Sequence, residues 1–324
     1  MFENIDESEQ LKYFQQAYKQ VTGESLKRVR KSERPDFICK RPDGGMVFYK
    51  YAGDSGIKVL EDLRLKITPP NEFNDPFELT PRSKFTITVA DMLNRVKTDP
   101  DHYRDVFEDM KNAGYLHTFE QFIADLPTIL NFKKFKKPMR EALVKTDMKS
   151  LDEASEKFGI LCVSKIPNSI PMWSHYADHH KGIAIGLDLP KIGNALGPFR
   201  RVRYHKHRQG FNRWLAPTNP EWLKQVIDTI FIKSRDWLYE QEYRRVFRLA
   251  DLIHARPDDK GKHHYFLHIS GNVIREVIFG CRIDEAYENR IRVELDRRPK
   301  TFGHVKRFRC KRHHSRFELE IIPS

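Results

Sequence analysis

Short runs of alternating apolar and polar residues recur along most of the chain, and they predict strands more often than helices. In MVFYKYAG, Val47, Tyr49 and Tyr51 share one side while Phe48 and Lys50 take the other, the two-residue period of a half-buried strand. A helix at Ile57–Leu63, anchored by Leu60 and Leu63, leads into a second strand at Arg64–Thr68. Apolar runs rich in β-branched residues predict buried strands at Ile160–Val163 and Gly182–Leu187, with a proline-punctuated loop and a short helix at Met172–His180 between them. Further strands follow in PFRRVRYHKHRQGF, at Tyr243–Leu249, and in YFLHI, VIREVIFG, VKRFRC and FELEII. Helical spacing marks Glu7–Val21, Glu221–Lys233 and DEAYENRIRVEL. From about 89 to 158 helical spacing with polar faces replaces the strand pattern. The prediction is a polar N-terminal arm over 1–45, then a single α+β domain over 46–324 carrying a helical insertion at about 89–158. Its sheets are expected to be mixed and mostly antiparallel.

Charge narrows the partners. Among 324 residues, 58 Lys and Arg against 45 Asp and Glu leave a formal net charge of +13, which concentrates anions at the surface: nucleic acid, anionic lipid heads or a phosphorylated small molecule. The basic run KKFKKPMREALVK, with Lys133, Lys134, Lys136 and Lys137, is either a solvated helix face or a phosphate contact. The four cysteines lie far apart without a C-x-x-C pair, so neither a zinc ribbon nor a disulfide framework is indicated. MFENIDESEQ lacks the basic and apolar regions of a signal peptide, and no apolar run is long enough for a membrane span, so a soluble, cytoplasmic protein without a membrane partner is expected.

Candidate chemistry gathers in three clusters. Tyr49, Lys50 and Tyr51 lie on the first strand. Ser164 ends the strand before the loop that leads to Trp173, His175, Tyr176 and His179. Trp237, Tyr239, Glu240, Glu242 and Arg244 open a later strand. Rings beside titratable groups suit a ligand pocket, with Trp173 and Tyr176 as its expected wall; packing into the core is the other use of such rings. A lysine on a core strand needs an anion, and Glu240 or Glu242 is the candidate partner of Lys50. Asp75 and Glu78 in NEFNDPFE have an ordinary use as caps of an Asn-Asp-Pro turn. As a metal-dependent alternative they join His175 and His179, which are spaced i, i+4 on the expected helix. No phosphate-binding loop, dinucleotide fingerprint or nucleophile elbow occurs.

FYKYA, EFNDPFE, the M-W-x-x-Y-x-x-x-x-x-G segment at Met172–Gly182 and W-x-x-E-x-E-x-R at Trp237–Arg244 together resemble a widespread bacterial family of uncharacterised proteins. The likeness runs from about Val47 to the C-terminus. More distantly, the order of elements resembles the ADP-ribosyltransferase fold. The resemblance implies NAD as a substrate, with Tyr49, Lys50, Tyr51, Trp173 and Tyr176 binding it. Lys50 takes the place where a His or Arg is usual, Ser164 supports the site, and Glu242 and Glu240 act as the acids of an E-x-E turn. A bacterial toxin or phage-defence effector acting on nucleic acid, or on a nucleic-acid-bound target, is the implied role. A nucleic-acid-binding or metal-dependent nuclease-type module, or a non-catalytic nucleotide sensor, is the alternative.

Overall fold

The computed structural model describes residues 47–80, 82–83, 104–112, 114–129, 152, 155–189, 192, 199–211, 220–254 and 261–324. Two compact units take up these residues: one draws on the described residues up to 72, within 156–204 and within 233–324, the other on those within 73–155 and 205–232. The expected N-terminal arm and the basic run at Lys133–Lys145 lie outside the described residues.

The first unit is organised by an eight-stranded sheet. Its strands are β1 (Val47–Ala52), β2 (Phe158–Ser164), β3 (Ile183–Asp188), β4 (Arg200–Arg201), β5 (Glu242–Arg248), β6 (Ile274–Phe279), β7 (Lys306–Arg312) and β8 (Leu319–Pro323). Across the sheet they run β8-β7-β6-β3-β1-β2-β5-β4. Every pairing is antiparallel except β6 with β7, whose parallel connection carries the helix Glu285–Arg297. Asp284 caps that helix, accepting from the N–H groups of Ala286 and Tyr287. The unit is therefore α+β with a mixed, mostly antiparallel sheet. A second sheet of three strands pairs Arg64–Ile67 with Tyr265–His268, and the latter with Ile253–His254.

Strand alternation divides the core in two. Phe48, Leu161, Val163, Tyr243 and Phe247 face one cluster, which includes Leu60, Leu65 and Phe279. Tyr51, Ala184 and Ile278 face a smaller one, filled by Met172, Trp173 and Ala177 from the helix α1 (Ile170–Tyr176) and its end. β3 is buried at every position, as expected of a strand covered on both faces.

The expected helix at Met172–His180 stops at Tyr176. Asp178, His179 and His180 instead turn through positive φ (43°, 51° and 72°). Gly182 and Gly280 allow this turn. A Cβ on Gly182 would lie 2.1 Å from the Ala52 carbonyl oxygen, and one on Gly280 would lie 2.1 Å from that of His180.

In the second unit, the helices Arg104–Asn112 and Phe119–Ile129 meet through rings, Phe107 lying 5.3 Å from both Phe119 and Phe122. Arg82–Ser83 pairs parallel with Gly210–Phe211. Asp75 Oδ1 accepts the Phe77 N–H at 2.9 Å, the turn-capping use of that acid.

Candidate functional site

Three adjacent strands meet side by side, β1 at its middle, β2 at its last residue and β5 at its first. Tyr49 of β1 stands opposite Ser164 of β2, and Ser164 stands opposite Glu242 of β5. Residues opposed in this way share a face of the sheet, so segments more than a hundred and nearly eighty residues apart converge. Between the two acids, Glu240 closes the short helical turn Arg235–Glu240, Gln241 takes a left-handed conformation, and Glu242 opens β5. That kink aims both carboxylates at one place.

They meet a cation from the strand Ile232–Ser234. Lys233 Nζ donates to Glu240 Oε2 at 2.7 Å and to Glu242 Oε2 at 3.4 Å. Arg244, fully buried, forks onto Glu242, Nε to Oε1 at 2.8 Å and Nη2 to Oε2 at 2.9 Å. The second oxygen of Glu240 accepts the Tyr176 hydroxyl at 2.7 Å. Ser164 Oγ donates to the Glu240 carbonyl at 2.6 Å, and the Glu242 N–H donates to the Tyr204 hydroxyl oxygen at 2.9 Å. Two carboxylates thus face one ammonium and one guanidinium, which offsets much of the cost of removing four charges from water.

The electrostatics follow from that crowding. Burial pushes the Glu242 carboxyl up to about 7; the Lys233 ammonium opposes the rise and the neighbouring Glu240 charge adds to it. Burial works against the charge on Lys233, yet the two carboxylates outweigh it and hold its pKa well above the ordinary lysine value. Tyr49 is also raised, by burial and by its 2.7 Å hydrogen bond to Glu276 Oε1.

Several expected roles change hands. Lys50 makes no direct ion pair with Glu240 or Glu242, although the Glu242 charge acts on it and opposes the lowering that burial causes. Alternation puts it on the face opposite Tyr49 and Tyr51, and its ammonium donates to the Cys162 carbonyl at 3.2 Å. Only Tyr49 and Ser164 register between β1 and β2, so this carbonyl lies where the strands splay. Burial lowers the Lys50 pKa. The position of β1 that shares a face with Ser164 and Glu242 is therefore Tyr49.

Trp173 offers no open wall. It is fully buried, its indole N–H donates to the Pro167 carbonyl at 2.7 Å, and its ring meets Tyr51 edge-on at 5.3 Å. Tyr51 is buried too, and its hydroxyl donates to the Ile166 carbonyl at 2.7 Å.

Tyr176, the other expected wall residue, is partly exposed, and the rings beside it that solvent reaches include His175, Trp237 and Tyr239. His175 lies 6.4 Å from Trp237 and 6.2 Å from Tyr239, and those two lie 5.9 Å apart. Lys233 Nζ sits 4.8 Å from the Trp237 ring centroid. These rings therefore form an aromatic mouth joined to the ionic floor through Lys233 and Tyr176.

The metal alternative loses its geometry. His179 has left the helix for a left-handed turn, so it shares no helical face with His175. Asp75 and Glu78 belong to the other unit. Among the described residues no three His, Cys, Asp or Glu side chains gather as a metal site.

Lys233 and Tyr204 escaped the sequence reading. The signal for Lys233 was faint: a lone lysine after two apolar residues in FIKS, seven positions before Glu240. Tyr204 lay within a basic alternation that gave no reason to single it out.

Fold and site together define an α+β protein built on a mostly antiparallel sheet, with a buried pair of acids at its strand ends. Residues 172–245 match the model of a family described as a protein of unknown function, DUF2971. That stretch takes in α1 from Met172 onward, β3, Lys233, both glutamates and Arg244. No curated protein and no solved structure matches the chain. Among the described residues no helix is long and apolar enough to cross a membrane.

Proposed function

We propose that the unit carrying the eight-stranded sheet is an ADP-ribosyltransferase-like domain that binds NAD and cleaves its nicotinamide–ribose bond. The observation that supports this most is the register Tyr49–Ser164–Glu242 across three adjacent strands. It is the arrangement that a first-strand aromatic, a strand-ending serine and an E-x-E glutamate require if they are to act on one ligand. The aromatic mouth supplies flat surfaces for a nicotinamide or adenine ring.

In the reaction the bond between ribose C1′ and the nicotinamide nitrogen breaks, and its electron pair leaves with neutral nicotinamide. A ribosyl oxocarbenium ion remains, and a carboxylate near it lowers its energy. An acceptor nucleophile, or water, then bonds to C1′ and loses its proton. Glu242 is the acid assigned to the ribose and Glu240 the one assigned to the acceptor. Lys233 and Arg244 position both carboxylates before substrate arrives.

The test is nicotinamide release from NAD by the full chain, read alongside NAD binding. Trp237→Ala and Tyr239→Ala remove partly exposed rings and should weaken NAD binding at least tenfold; Trp237→Ala also removes the ring that Lys233 faces, so it is read beside Tyr239→Ala, which should leave the melting temperature unchanged. Glu242→Gln should abolish release. A wild-type chain that neither binds NAD nor releases nicotinamide overturns the proposal.

A further inference from the structure

The same unit carries a second recess that uses none of these residues. It is an open cleft of about 840 Å³ whose walls include His180, Arg282, Arg312, His314, Arg316 and Phe317, with Glu318 as the one acid lining it. One wall is the left-handed turn at Asp178–His180, held by the His180 N–H on the Trp173 carbonyl and by the Arg282 N–H on the His180 carbonyl, both at 3.1 Å. The other wall is the turn between β7 and β8. There the His313 N–H donates to the Glu318 carbonyl at 3.0 Å, and His313 Nδ1 accepts from the N–H groups of Ser315 at 3.1 Å and Arg316 at 3.0 Å. Backbone hydrogen bonds on both sides therefore fix where the cationic side chains begin.

Charge and exposure say what such walls receive. Arg316 pairs with Glu318 at 2.9 Å. Arg282 and Arg312 have no carboxylate partner among the described residues. Phe317 stands wholly in water, 102% exposed, so its ring contributes nothing to the core. His180 Nδ1 is buried without a hydrogen-bond partner. Guanidinium groups on two walls with an uncovered ring on the turn match the needs of a strand whose phosphates seek cations and whose bases seek π-faces. A single phosphate would occupy one group of arginines, whereas an open cleft with cations on both walls suits a succession of phosphates.

We propose that this cleft binds single-stranded nucleic acid, with Arg282, Arg312 and Arg316 holding phosphates and Phe317 stacking a base. The site does not depend on NAD chemistry, and its test is run without NAD, so failure here and failure of the transferase reading are separate results.

The probe is a short fluorescent oligothymidylate titrated into the full chain across a salt series. Wild type should bind with a log-linear loss of affinity, about 0.7 in slope for each phosphate contact released. Arg312→Glu with Arg316→Glu should lower the slope by more than one. Phe317→Ala should lose roughly tenfold in affinity at unchanged slope, because stacking involves no counterions. Arg290→Glu with Lys300→Glu makes the same charge change at exposed positions outside the cleft and should leave the cleft's contribution intact. Melting temperatures of all variants check the fold. The proposal is overturned if wild type fails to bind at low salt, if the control pair weakens binding as much as the cleft pair, or if inorganic phosphate displaces the probe as well as unlabelled oligonucleotide does.

Discussion

One ammonium, on Lys233, lies 2.7 Å from Glu240 and 3.4 Å from Glu242, and all three side chains are buried. Lys233→Met keeps the volume of the stem and removes the charge. Glu242 would then keep Arg244, and Glu240 would keep the Tyr176 hydroxyl in place of a cation, so the expected loss is about 3–5 kcal/mol of unfolding free energy, measured by urea denaturation. A loss below about 1 kcal/mol would mean that water reaches the acids and that the floor is not sealed. Glu242→Gln has a cost of its own, since it strips the charge from the partner of a fully buried arginine. Its folded fraction must therefore be measured beside any activity. The cleaner residue-scale test of Glu240 is Tyr176→Phe, which removes one hydroxyl bonded to a carboxylate and should lower stability by about 1.5–3 kcal/mol.

At the scale of elements, the close packing of α1, β1, β3 and the end of β6 depends on two glycines. Gly182→Ala would push a methyl group onto the Ala52 carbonyl of β1, and Gly280→Ala one onto the His180 carbonyl. Neither oxygen belongs to a flexible side chain, so the strands themselves must part. Each substitution should lower stability by about 3 kcal/mol. Gly182→Ala should also loosen the seat of α1, and with it the burial of Trp173 against Tyr51 and Ala184, which increased quenching of tryptophan fluorescence by acrylamide would report. Gly114→Ala is the contrast. Nothing lies within 4 Å of its would-be Cβ, and its φ of 93° leaves backbone strain as the single penalty.

Across the whole molecule, the raised carboxyl of Glu242 predicts a pH effect whose sign can be worked out. Its folded pKa, about 7, exceeds the ordinary 4.5, so between those values the folded state binds more protons than the unfolded one. Stability from this group is complete below about 4.5 and is lost as pH rises through 7. Glu242→Gln does not titrate. The stability gap between wild type and Glu242→Gln should therefore narrow as pH is raised across that window, in denaturant titrations at a series of pH values. A gap that widens would mean that Arg244 and Lys233 together hold Glu242 ionised well below 7. The formal charge of +13 contributes a different dependence, on salt, which belongs to the binding experiments.

Local pattern was enough to read the strands of the sheet, because alternation and β-branched runs are properties of neighbouring residues. β2, β3 and β6 could be placed from their apolar runs to within a residue or two. The motif residues Ser164, Glu240 and Glu242 were legible in the same way. What each of them touches was not. Lys50 and Lys233 both sit in apolar stretches, and nothing local says that the first ends on a carbonyl while the second joins the acids. Strand register decided it, by setting Ser164 between Tyr49 and Glu242 and sending Lys50 to the other face. The expected wall is Trp173 and Tyr176; the contact of α1 with β1 buries Trp173, while Tyr176 and Trp237 stay partly exposed. The end of α1 at Tyr176 was likewise hidden, since the left-handed turn that follows it leads into Gly182, whose backbone packs on that of Ala52, more than a hundred residues earlier. Periodicity is written into adjacent residues, whereas partners and exposure depend on which distant segments the sheet brings into contact.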